Sequence, residues 1–177
     1  MAQRGARWIV AARSVIPSGV LEMSARRSPG TGGCRPLRHI SYFRAVDGVP
    51  APGAFSRATV HNGLVYVSGT GADNDTAGGA VPEMTAAEET LRALENVATI
   101  LRATGSSPDQ IVSASMLLSN RDDYAECNAA YVDFFSKHGG PELPARSTAL
   151  WGVPTTAKVA FSVVAVQPDP SAAQYTE

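Results

Sequence analysis

No stretch of the 177-residue chain approaches the roughly 18–20 consecutive apolar residues that a membrane span needs. Cysteine is nearly absent. Cys34 and Cys127 cannot make a multi-bridge framework, and so few thiols fit a reducing cytoplasm most simply. A basic excess is missing as well: the formal net charge is −1, whereas a dedicated nucleic-acid binder carries surplus Lys and Arg. His39, His61 and His138 do not lie at metal-ligand spacing with carboxylates or thiols. No G-x-S-x-G, Walker loop or dinucleotide glycine fingerprint occurs in context. Nothing here implies a metal or an organic cofactor. With 44% hydrophobic residues, the chain has room for one compact domain with an ordinary core.

The charge is unevenly placed. Residues 1–44 hold eight basic groups against one acid, Glu22, a balance of +7. The remainder holds seven against fifteen, a balance of −8. Pro17, Pro29, Gly30, Gly32, Gly33 and Pro36 fall in the basic part, which reads as a disordered tail or an over-long gene start, with Met23 as an alternative initiator. The same Arg-rich, acid-poor composition also describes an organelle transit peptide. Residues 8–12 are apolar but shorter than a signal h-region, and Arg13 interrupts them. The expected division is a tail over 1–44, a domain over 45–167 and a flexible polar tail over 168–177, with the first ordered residues near Ile40.

Residues 58–60 and 64–68 flank His61-Asn62-Gly63, and Asn-Gly between apolar runs predicts a hairpin because both residues tolerate positive φ. Residues 70–82 are rich in Gly, Asp, Asn and Thr and read as a loop. Thr85 with Glu88 forms a T-x-x-E capping box. Behind it Leu91, Leu94, Ala98 and Leu101 make one apolar stripe, and Gly105 sits where a helix exit places glycine. Residues 111–118 read as a strand. A second helix over 122–137 carries Tyr124, Cys127, Tyr131, Phe134 and Phe135 on its apolar side. Residues 146–153 and 158–166 read as two more strands, the last apolar enough for both its faces to be covered. The order predicts a two-layer α+β domain: a mixed β-sheet with two helices packed on one face.

Few residues stand out chemically. Gly69-Thr70-Gly71 reads as a strand-end turn, Asp122-Asp123 as acids favoured at a helix start, and Cys127 as a small buried hydrophobe. Arg146 opens an otherwise apolar strand. Composition leaves it two readings, a surface ion pair or a guanidinium fork offered to a small carboxylate.

Several segments, in order, resemble the RidA family (YjgF/YER057c/UK114), the reactive-intermediate deaminases. Residues 60–69 (V-H-N-G-L-V-Y-V-S-G) resemble its first strand pair. Residues 94–97 (L-E-N-V) with Leu101 resemble its first helix, and residues 103–107 (A-T-G-S-S) the exit of that helix. Residues 128–135 (N-A-A-Y-V-D-F-F) resemble its N-x-x-Y-x-x-F-F helix, and residues 144–147 its P-A-R-S signature. The resemblance covers about residues 52–167. It implies a chorismate-mutase-like fold and a homotrimer with ligand clefts between subunits. The activity it implies is hydrolysis of 2-imino or enamino acids, released by pyridoxal-phosphate enzymes, to 2-keto acids and ammonia. By the same resemblance Arg146 binds the substrate carboxylate, the backbone of Gly69 and Thr148 orients substrate or water, and Ser68 lines the pocket. Phe55 stands where the family has tyrosine, and Asn128 matches a family position with either a substrate-facing or a helix-packing role.

Departures temper this. The family's last strand often reads I-E-I-E-A, one glutamate positioning the attacking water; here Ala160 and Ser162 take those places. Thr148 replaces a frequent cysteine and Thr70 a glutamine. Loss of such a general base costs roughly 10²–10⁴-fold in rate. The expectation is therefore a RidA-like deaminase acting on small imino or keto acids. The alternatives are a member remade for another small carboxylate (a hydrolase, tautomerase or cyclisation helper) and a non-catalytic ligand-binding trimer. No nucleic acid or membrane is expected as a partner, since a domain balance of −8 repels phosphate.

Overall fold

The computed structural model describes residues 39–49, 53–72, 83–139, 142–150 and 157–168. The proposed tails, the loop over 73–82 and the end of the strand after Leu150 lie largely outside these residues. Six strands form one sheet in the order β1-β2-β3-β6-β4-β5, namely β1 Ile40–Phe43, β2 Ala58–His61, β3 Leu64–Gly71, β4 Ile111–Leu118, β5 Ala145–Leu150 and β6 Val159–Val166. Helix α1 spans Ala86–Ala103 and α2 spans Tyr124–His138. All neighbours are antiparallel except β4 and β5, which run parallel because α2 carries the chain across between them.

Local chemistry sets these elements. Asn62 (φ 54°) and Gly63 (φ 74°) both occupy the left-handed region, so the Asn-Gly pair turns β2 into β3 with the twist a hairpin needs. Thr85 Oγ1 accepts the Glu88 N–H at 3.2 Å, while the Glu88 carboxylate accepts the Thr85 N–H at 2.8 Å, closing the capping box. Gly105, at φ 78°, takes the chain out of α1. Asn120 Oδ1 accepts the Asp122 N–H at the entry to the second helical stretch.

Both helices lie on one face of the sheet. Val65, Val67, Ala114, Met116, Val159, Phe161 and Val163 point to that side and are buried with Leu94, Val97, Leu101, Tyr131 and Phe135. The opposite face is only partly covered: Tyr42 (59% exposed), Tyr66 (43%) and Val166 stand in water, and Ser162 and Val164 are half-buried.

Ile40–Phe43 pairs with β2, so order begins at Ile40, where the residues place it, ahead of the division drawn at residue 45. Three expectations shift. Strand β3 continues through Thr70 and Gly71, because a bulge lets Thr70 regain the core side. Tyr124 is exposed, since the turn of 3-10 helix at Arg121–Asp123 precedes α2 and leaves the tyrosine at its entry. In this chain alone β6 is fully covered on one face only.

Candidate functional site

Arg146 is the second residue of β5 and faces the helix side, in register with buried Ala114. Its half-buried guanidinium has two close partners. Nη2 donates to Asn128 Oδ1 at 2.7 Å, and Cζ lies 4.5 Å from the centroid of the Tyr131 ring. Asn128 and Tyr131 share a face of α2 through their i, i+3 spacing. Tyr131 is in turn fixed by Phe135, ring centroids 4.7 Å apart, and by Phe161, stacked at 6.0 Å. A cation over the face of this packed ring is attracted without being neutralised. Burial pushes the Tyr131 phenol up from its ordinary value, with Arg146 opposing, and its hydroxyl finds no partner among the described residues. Thr148 lies two residues on, exposed, in register with Met116.

A second group of predicted site residues forms elsewhere. Between the pairs Val67↔Val163 and Thr70↔Phe161, Ser68 and Gly69 together stand opposite one residue, Ser162. The Ser162 hydroxyl donates to Val67 O at 2.8 Å, pinning the bulge that turns Gly69 outward. Ser68 Oγ donates to Ser56 O at 2.7 Å, next to exposed Phe55. Arg57, which the sequence reading passed over, is 6% exposed beside it, and burial draws its guanidinium below the ordinary value. Its carbonyl accepts the Ser68 N–H at 3.0 Å. Ala160, between Gly71 and Leu117, and Ser162 lie on the face opposite the helices.

The fold thus brings Arg146, Asn128 and Thr148 together at the β5 edge of the sheet, and Phe55, Ser68 and Gly69 at β3 in its interior. Strands β6 and β4 intervene, so the groups are about 14 Å apart at ordinary strand spacing. Sequence reasoning missed Tyr131 as a platform, counting it only as core. Its position three residues after Asn128 was the available signal. Among the described residues no cluster of three or more His, Cys, Asp or Glu could hold a metal ion, and no helix is long and apolar enough to cross a membrane. Cys127 is buried, its thiol pushed up by loss of water.

Known proteins resemble this chain in sequence and fold. The Schizosaccharomyces pombe "Protein mmf2, mitochondrial" is 34% identical over 107 residues, covering 60% of this chain and 79% of its own. The Rattus norvegicus 2-iminobutanoate/2-iminopropanoate deaminase is 31% identical over 118 residues, covering 66% and 82%. The crystal structure of the E. coli YjgF gene product superposes with a TM-score of 0.63 at 25% identity, covering 71% of this chain and 98% of that one. A family model described as Endoribonuclease L-PSP matches residues 47–167, and on that match the chain belongs to this family, the YjgF/RidA proteins.

Proposed function

We propose that the protein hydrolyses small 2-imino or enamino acids to 2-keto acids and ammonia, with Arg146 holding the substrate carboxylate. The observation that carries this reading is the Arg146 guanidinium: half-buried, fixed in place, and bound by neutral groups only among its contacts above. A water oxygen adds to the imine carbon, the nitrogen takes up protons, and the C–N bond breaks to release ammonia as the new C=O forms. Arg146 contributes by orientation, since its paired donors match a carboxylate in one plane. The rat relative's printed name supports the reaction class.

The separation of the two residue groups supports a site shared between subunits, with the Phe55–Gly69 group of one chain meeting the Arg146 group of another. The partly uncovered sheet face, with Tyr42 and Tyr66 exposed, supports the oligomer that such sharing requires, and the resemblance to the RidA family makes a homotrimer the expected form. Light scattering tests this directly: a trimer is expected, and a stable monomer at micromolar concentration contradicts it. On location, the low thiol content supports the cytoplasm. The mitochondrial name of the fission-yeast relative and the basic stretch 1–44 support the organelle, and imaging a C-terminal fusion decides.

Ala160 and Ser162, where glutamates are expected, favour a second reading: the pocket serves another small carboxylate, or binds one without turnover. An in-situ generated 2-imino acid separates the two. Accelerated ammonia release that is lost in Arg146→Ala supports the deaminase. No acceleration by a folded, 2-ketobutyrate-binding protein supports the second. If the chain lacks only a water-positioning group, Ala160→Glu raises the rate.

A further inference from the structure

The groups that hold Arg146 share a property that anchoring a carboxylate does not by itself require: both are neutral. Asn128 accepts one N–H, and Tyr131 offers a ring face. The ion pairs among the described residues are Lys137–Asp133 and Lys158–Glu89, and neither involves Arg146. The acids of α2 lie elsewhere, with Glu126 exposed and receiving the Ala87 N–H and Asp133 paired to Lys137. A carboxylate at the place of the Asn128 amide would satisfy the guanidinium equally well by geometry. In a half-buried setting, however, it would also cancel the charge that a ligand must meet. An amide oxygen and an aromatic face orient the fork and leave its full positive charge outward.

We propose that Asn128 and Tyr131 are a neutral positioning clamp for Arg146, and that their neutrality is what lets the site take a monoanionic carboxylate. This rests on Arg146 being the carboxylate anchor. Asn128 then acts through Arg146 rather than on the substrate itself, and Tyr131 serves as floor rather than core filler. The orphan hydroxyl of Tyr131 fits that division, because the ring face alone does the positioning.

The test uses the purified full chain, with 2-ketobutyrate binding by calorimetry and melting temperature measured on the same samples. Asn128→Asp keeps shape and adds charge. It is expected to weaken 2-ketobutyrate by about tenfold or more while the melting temperature holds or rises, as a new ion pair forms. Tyr131→Leu should also weaken binding, and Tyr131→Phe, which keeps the ring face, should restore it; a residue that merely filled the core would not separate these two variants by affinity. Arg146→Ala reads the anchor separately. Loss of binding in Arg146→Ala with wild-type affinity in Asn128→Asp overturns the clamp and leaves the anchor standing. Wild-type affinity in folded Arg146→Ala overturns the anchor and the clamp together.

Discussion

Among the charged side chains drawn out of water in this domain, Glu89 on α1 and half-buried Arg146 on β5 are treated oppositely. Glu89 is 4% exposed, and both its oxygens are engaged by one residue. Oε2 accepts the Lys158 N–H at 2.7 Å, and Oε1 lies 3.3 Å from Lys158 Nζ, which also donates to Met84 O at 2.6 Å. The charge is cancelled inside the fold, and the start of α1 is tied to the start of β6. Arg146 has geometry supplied by Asn128 and Tyr131 but no countercharge from either. Burial alone therefore does not separate these two residues; the charge of their partners does. Under the proposed function Glu89 is structure, and Arg146 is the cation that a ligand carboxylate meets.

That contrast can be broken from either side. The largest stability effect is expected at Glu89. Glu89→Ala strands Lys158, which is only partly exposed, and should cost about 3 kcal/mol. Thermal denaturation should show a fall on the order of 10 °C, with 2-ketobutyrate affinity of the folded protein unchanged. Tyr131→Phe goes the other way: removing a buried hydroxyl that has no partner among the described residues should raise stability by about 1–2 kcal/mol, read by denaturant unfolding. Thr85→Ala removes the oxygen that caps α1 and should cost about 1 kcal/mol without touching ligand affinity.

The smallest effect concerns acid. The Thr85 backbone N–H, and then its side chain, hold the Glu88 carboxyl below its ordinary value. A group depressed on folding stabilises above its unfolded value and loses that contribution as pH falls through the folded one. Glu88→Gln should therefore flatten the acid side of the melting curve slightly, an effect that a pH series of melting temperatures can resolve.

The sequence made much of this legible where local chemistry decides. Asn62-Gly63, the Thr85–Glu88 box and Gly105 are short-range devices, and each appears where the residues predict it. Arg146 was legible as an oddity, a cation opening an apolar strand. What escaped was set by tertiary pairing. The start of order near Ile40 was legible, but that Ile40–Phe43 is a strand depends on the edge β2 offers it. Thr70-Gly71 has loop composition, and only the bulge at Ser68-Gly69 keeps it in β3. Tyr131 is indistinguishable from core by helical period; its role depends on β5, reached fifteen positions later, laying Arg146 across its ring. The distance between the Gly69 and Arg146 groups depends on strand order, which local patterns do not encode.

The most direct measurement crosses the two charges in one experiment: Arg146→Ala and Glu89→Ala, each read for melting temperature and for 2-ketobutyrate affinity. Arg146→Ala should lose binding by about a hundredfold or more, as expected when a bidentate charge partner is removed, while melting within a few degrees of wild type. Glu89→Ala should do the reverse. A folded Arg146→Ala protein that binds 2-ketobutyrate as tightly as wild type would contradict the assignment of Arg146 as the carboxylate anchor.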